Sequence, residues 1–184
     1  MSRRKLEGAL FLIGFGLSIP AANWLIGHVG TFCVPQGPCV VPVAPGIDAP
    51  SGVLMAGLAL VLRDLVQRRL GLLWSIGAII GGAALSALLA PPSLVIASAI
   101  AFLLSEFADL GVYSPLQRRH LVMAVFASGC VGLVVDSMVF LYIAFGDLGF
   151  LPGQILGKAW MILISLPAIR WLRDRDFRIG IQPA

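Results

Sequence analysis

Six apolar stretches, each about twenty residues long and separated by short breaks, constrain this chain more than anything else in it. They fall near 6–27, 49–67, 71–90, 93–113, 121–145 and 151–171. A helix rises about 1.5 Å per residue, so roughly 20 residues cross a hydrocarbon core about 30 Å thick. The chain is 59% hydrophobic and 12% charged, whereas a soluble domain is about a quarter charged. The expectation is an all-α integral membrane protein of six transmembrane helices, with residues 1–184 forming a single domain. The first stretch follows "MSRRKLEG" and has no clean small-residue cleavage site, so it reads as a retained helix and not a signal peptide.

The basic residues set the topology. Arg3, Arg4 and Lys5 precede the first helix; Arg63, Arg68 and Arg69 lie at the second break; Arg118 and Arg119 at the fourth. Arg170, Arg173, Arg175 and Arg178 close the sixth helix or follow it, while the alternate loops (28–48, 90–92 and 146–150) contain no Lys or Arg. The positive-inside rule then puts both termini in the cytoplasm. A net charge of +4 spread between apolar runs is a topology signal, not a nucleic-acid patch.

The segment 28–50 is rich in Pro, Gly and Val and is expected to form a cap or short extended hairpin over the bundle. It contains Cys33 and Cys39 in "CVPQGPC", and an oxidising exterior permits either a disulfide or two free thiols. Cys130 reads as a small packing residue. No His/Cys cluster has metal-ligand spacing, and no cofactor is implied. In the third helix Ala78, Gly82 and Ser86 recur every four residues, which suits close helix packing or a partner interface. Pro20 is expected to kink or interrupt the first helix and free a carbonyl near Asn23.

A charge at the centre of a spanning helix costs about 2.5–3.5 kcal/mol on insertion scales, so each one must be paired, near an interface, or functional. Asp136 lies roughly 12 Å below the outer boundary and Lys158 roughly 10 Å below it, so the two are level and an ion pair is expected. Gln154, one turn above Lys158, and Asn23 belong to the same outer layer. On the inner side Glu106 is about 10 Å and Asp109 about 6 Å from the boundary, with Arg63 level with Asp109. Ser98, Phe102, Ser105, Asp109 and Tyr113 share one face of the fourth helix, with Glu106 beside it. Ser128, Gly132 and Asp136 step along the fifth helix, and Gln154, Lys158 and Ser165 along the sixth. Arg63 is the expected structural partner of Asp109, whereas Glu106 has no obvious partner and is the better candidate for ligand or proton.

Enzymatic readings fail. "GQILGKA" around Lys158 lacks the Gly spacing and following Ser/Thr of a phosphate loop. Asp109 and Asp136 do not sit in the surroundings of an intramembrane protease, and His28 and His120 are in loops on opposite sides. A transporter or binding subunit, not an enzyme, is the reading that remains.

Four motifs in order, "PSGVLMAGLALVLRDLVQRRLG" (50–71), "SEFADLGVYSPL" (105–116), "VVDSMVFLYIAFGD" (134–147) and "ILGKAW" (155–160), resemble the VUT family of vitamin uptake or queuosine precursor transporters. The resemblance covers roughly 50–161. It implies uptake of a 7-deazapurine, chiefly 7-cyano-7-deazaguanine, across the cytoplasmic (inner) membrane by one polypeptide. The family's acidic fourth helix matches Glu106 and Asp109. Its Asp in the fifth helix and Lys in the sixth match Asp136 and Lys158, and its Arg-Asp pair matches Arg63 and Asp64. This chain departs in its short 90–92 turn and its Pro-rich first loop.

The chemistry of a guanine-like edge fits, since one carboxylate accepts both a ring N–H and an amino group. Asp136 or Glu106 is the expected reader of that edge, Lys158 or Asn23 the donor to a nitrile or carbonyl, and Gln154 lies beside them. Phe102 and Tyr113, or Phe140, Trp24 and Trp160, are candidates to stack on the ring. Arg63, Asp64 and Asp109 are expected as structural or gating ion pairs. The alternatives are a substrate-binding membrane subunit of an ATPase-driven transporter, joined to a partner through the third helix, and a non-transporting scaffold.

Overall fold

The helix that buries the most charged side chains is also the most enclosed. The computed structural model describes residues 3–35, 38–90 and 92–181; the middle of the Cys33–Cys39 loop and of the 90–92 turn lies outside them. Among the described residues six α-helices run in the order α1 (Arg3–His28), α2 (Val53–Leu70), α3 (Leu72–Leu89), α4 (Val95–Leu116), α5 (Leu121–Phe145) and α6 (Leu151–Ile179). Five of them are long and apolar enough to cross a membrane. The exception is α2, which carries Arg63, Asp64, Arg68 and Arg69, all buried. It touches each of the other five helices, and this shielding lets its charges remain inside. The outer helices instead turn large apolar side chains outward, such as Leu6, Leu10, Ile13 and Leu17 on α1 and Leu73, Ile80 and Leu88 on α3. In a membrane protein that surface meets lipid.

Two apolar clusters hold the bundle. Phe15 and Ile19 of α1 pack on Ala59 and Val66 of α2 and Ala78 of α3. Leu60, Val61 and Leu65 of α2 pack with Tyr113 of α4, Leu121 and Leu133 of α5 and Ile162 and Ile169 of α6. At Gly57 the backbones of α2 and α6 nearly touch: a Cβ there would stand 2.8 Å from the Lys158 carbonyl oxygen. That glycine sets the depth at which Lys158 meets the interior.

Between α1 and α2 the chain forms an antiparallel sheet of three strands, β1 (Phe32–Cys33), β2 (Cys39–Ala44) and β3 (Ile47–Pro50), in that order. It exceeds the simple hairpin expected from the sequence by one strand. Cys33 pairs with Cys39 in register and the two are disulfide-bonded. Ser51 Oγ donates to the Leu25 carbonyl (2.7 Å) and Trp160 Nε1 to the Val43 carbonyl (3.0 Å), which ties the sheet to α1 and α6. The sheet thus covers the end of the bundle opposite Arg68, Arg69 and Arg175.

Two expectations need correction and one is sharpened. Pro20 lies inside α1 without ending it, and the carbonyl it deprives of a donor is that of Gly16, four residues back, not one near Asn23. Ala78, Gly82 and Ser86 are buried within the chain, and a Cβ on Gly82 would strike the Phe102 ring. That stripe therefore packs α3 against α1 and α4, and Ala78 and Gly82 also line a groove between α3 and α1. Finally, α6 continues eight residues past 171, because its last turns find buried partners on α2.

Candidate functional site

Three polar layers cross the bundle, and among the described residues only the one nearest the sheet faces a cavity. A cavity of about 130 Å³ lies between α1, α2, α4, α5 and α6, with Pro50 and Gly52 at its sheet end. Its walls include Ile19, Ala59 and Leu60 on the apolar side, Phe102 and Phe140, and a polar wall of Asn23, Ser98, Ser105, Glu106, Asp136, Gln154 and Lys158. The helical spacing explains the grouping. Ser98, Phe102, Ser105 and Glu106 fall at three- and four-residue steps on α4, and Gln154 and Lys158 are one turn apart on α6.

Lys158 organises the polar wall. Its ammonium donates to Asp136 Oδ2 (2.6 Å), Ser137 Oγ (2.8 Å) and Gln154 Oε1 (2.6 Å). Those three bonds use all its donors, and its side chain is 2% exposed against 22% for that of Asp136. The carboxylate thus presents itself to the cavity while the cation stays behind it. Asp136 Oδ1 has only a long contact from Ser105 Oγ (3.5 Å). A carboxylate oxygen has two lone-pair sites, so Asp136 retains acceptor capacity toward the cavity. Asn23 Nδ2 donates to the Ile19 carbonyl (3.0 Å) and keeps a second N–H.

Beneath the cavity, Arg63 is completely buried at the centre of the second layer. Its Nε donates to Glu106 Oε2 (2.9 Å) and its Nη2 to Asp109 Oδ1, while Nη1 is 3.0 Å from Asp64 Oδ1 and donates to Gln67 Oε1 (3.3 Å). Ser128 Oγ donates to Asp64 Oδ2 (3.1 Å) and Gln67 Nε2 to Ser114 Oγ (2.9 Å). Glu106 therefore does have a partner, contrary to the sequence reading. The rise per residue fixes its depth, but only the rotation of α4 against α2 brings it to Arg63. Tyr113 does not line the cavity. It is fully buried in the core with its ring 5.8 Å from the Arg63 guanidinium. Eleven residues, or about 16 Å of helix, separate it from Phe102, and the Arg63 cluster closes the space between. Trp24 and Trp160 are exposed on the outer surface, with Trp24 stacked on His28.

The third layer, at the far end from the sheet, was not anticipated from sequence. Asp176 accepts from Arg68 (3.2 and 3.0 Å) and from Arg69 (2.9 and 2.7 Å). Glu7 lies 2.9 Å from Arg69 Nε and accepts from Arg175 Nη2 (2.7 Å). These contacts join the start of α1, the end of α2 and the end of α6. Asp176, one of two acidic residues in the otherwise basic tail "RDRDFR" (173–178), is the one sequence signal of it. Ser105 and Ser137 complete the upper site, and each adjoins an acidic neighbour in sequence. No group of three or more His, Cys, Asp or Glu among the described residues is placed to hold a metal ion.

A family model described as "Putative vitamin uptake transporter" matches residues 51–172. That interval begins beside Gly52 at the cavity mouth and contains α2 to α5 and most of α6. No curated protein and no solved structure matches the chain.

Proposed function

This chain belongs to the vitamin uptake transporter family, a multi-pass membrane family that moves small molecules, and on that premise we propose that it imports a 7-deazapurine. The substrate of this reading is 7-cyano-7-deazaguanine or a close relative, carried across the cytoplasmic membrane by one chain acting as a single domain and a secondary transporter. All six helices span the membrane with both termini inside, because Arg and Lys gather at one end and the Cys33–Cys39 sheet at the other.

The observation that carries the proposal is the one partly exposed carboxylate of the cavity, Asp136, clamped from behind by Lys158. A guanine-like edge presents adjacent N–H groups, and a fixed carboxylate accepts both through charge-assisted bonds. Lys158 has no donor left for substrate, so its part is to hold Asp136 and Gln154 in position. The nitrile or carbonyl end falls to Asn23, and Phe102 and Phe140 supply apolar faces for the flat ring. Glu106 lines the same cavity while bonded to Arg63, which makes it the link between substrate and the buried layer. The reading calls for no cofactor and no catalytic group.

The test is rescue of queuosine-modified tRNA in cells unable to make the precursor, fed 7-cyano-7-deazaguanine at low concentration. Wild-type protein restores the modification and Asp136→Asn does not. Equal rescue by Asp136→Asn and Glu106→Gln would remove the site assignment. Uptake by the purified chain in liposomes excludes dependence on a separate ATPase.

A further inference from the structure

The Arg63 layer contains one positive charge and three carboxylates, all within the membrane-spanning part of the bundle. Arg63, Asp64, Glu106 and Asp109 are each at most 1% exposed. Among the described residues, the other buried cations are engaged elsewhere: Lys158 is committed to Asp136, and Arg68 and Arg69 to Asp176. The remaining elements add no charge at this level: α3 has no ionisable residue, and those of α1 stand at its two ends. On α5 the facing groups are Ser128 and, nearer Glu106, Asp136; on α4 Tyr113 completes the surround.

The geometry marks where the imbalance sits. Asp64 Oδ1 and Asp109 Oδ2 are both fully buried and accept no hydrogen bond. Arg63 Nη1 stands 3.0 Å from Asp64 Oδ1 without donating to it. Asp109 Oδ2 is pressed beside Gly132 of α5, where a Cβ would lie 3.2 Å away. The Asp64 and Asp109 carboxylates stand against the two terminal nitrogens of one guanidinium, Arg63 Nη1 and Nη2. Three carboxylates against a single buried cation favour a proton bound on one of them, because like charges crowded in a buried site cannot all ionise. Neither Asp64 nor Asp109 lines the cavity, but Glu106, one helical turn above Asp109 on α4, does.

We propose that Asp64 and Asp109 share one bound proton, taken up by way of Glu106 from the cavity side, and that its release on the opposite side drives transport. The proposal rests on the transporter reading for its second half only. In the step, an O–H bond forms on an Asp64 or Asp109 oxygen with a proton from outside water, and the same bond breaks to return a proton to water inside. Arg63 keeps its charge throughout and faces two ionised carboxylates while the proton is bound and three once it leaves. That change in its partners, Glu106 among them, is what the cavity would sense.

Two measurements decide it. Infrared difference spectra of the purified protein at neutral pH should show the carbonyl stretch of a protonated carboxylic acid, shifted in heavy water and lost in Asp64→Asn and in Asp109→Asn. If those variants fail to fold, the band of the wild-type protein alone is decisive: its absence overturns the proposal, whatever transport does. In liposomes held at zero membrane potential, one unit of inward pH gradient should raise the accumulation ratio of 7-cyano-7-deazaguanine about tenfold for one proton per substrate. Asp64→Asn, which lies outside the cavity lining, should abolish that accumulation while leaving downhill exchange. Uptake indifferent to the pH gradient, or driven equally by sodium at constant pH, overturns the coupling. A carboxylic-acid band without uptake of any deazapurine supports the shared proton and counts against the proposed substrate.

Discussion

Replacing Lys158 by Met separates what the cation does for the fold from what it does for the cavity. Met is close to Lys in length, so the change removes the ammonium and leaves Asp136, Ser137 and Gln154 without their shared donor. At an effective dielectric of about 20, unit charges 2.6 Å apart attract by roughly 6 kcal/mol. Desolvation of the buried ammonium offsets several kcal/mol of that. Breaking a buried pair from one side typically costs about 3–5 kcal/mol. The lower end applies here, because Asp136 is 22% exposed and water in the cavity can solvate its orphaned charge. For a chain of this size about 3 kcal/mol corresponds to a fall in Tm of roughly 6–12 °C, read by thermal unfolding in detergent. Adding Asp136→Asn removes the stranded charge, so the double variant should recover to within about 4 °C of wild type. Uptake should stay abolished in both. Additive losses in the double variant, or an unchanged Tm in Lys158→Met, would refute the view that the cation serves chiefly to hold Asp136.

Further outcomes follow from the other contacts. Asp176→Ala strands Arg68 and Arg69 at a buried end of the bundle and should cost about 3 kcal/mol. Arg173→Ala, whose pair with Asp174 is half-exposed, should change stability by less than about 1 kcal/mol; similar Tm values for the two variants would contradict this. Gly57→Val places a side chain against the Lys158 backbone and should lower both Tm and uptake, whereas Gly77→Ala, with open space around it, should be neutral or slightly stabilising. Cys33→Ser opens a disulfide across a short loop of six positions, worth about 2 kcal/mol. It should lower Tm as a reductant does and leave uptake in place, since neither cysteine lines the cavity.

Much of the layering is legible in the sequence, and the reason is dimensional. A fixed rise of about 1.5 Å per residue converts position along an apolar run into depth. Asp136 and Lys158 can therefore be assigned a common level from their positions in the chain, and Arg63 and Asp109 another. Depth says nothing about the rotation of a helix around its own axis. Glu106 and Asp109 differ by three residues, and whether one, the other or both reach Arg63 depends on how α4 is turned against α2. The sequence suggests one, and the structure brings both. Tyr113 shares the face of Phe102 yet falls below the layer that closes the cavity, so a stripe that looks continuous serves two environments. The Asp176 cluster escapes sequence reasoning for a related reason. A charge at the end of an apolar run looks solvated until the neighbouring helix is seen to extend beside it.

Composition and periodicity alone determined that this chain crosses a membrane as a helical bundle with polar residues turned inward, because lipid offers backbone and charge no other solvent. Only the tertiary structure decided that α2 is the enclosed one and that the small-residue stripe of α3 packs against α1 and α4. It also decided that Lys158 stands behind Asp136, and that three carboxylates converge on a single arginine. Those outcomes depend on helix rotation and order of packing, which arise from contacts between segments distant in sequence, and no local pattern encodes them.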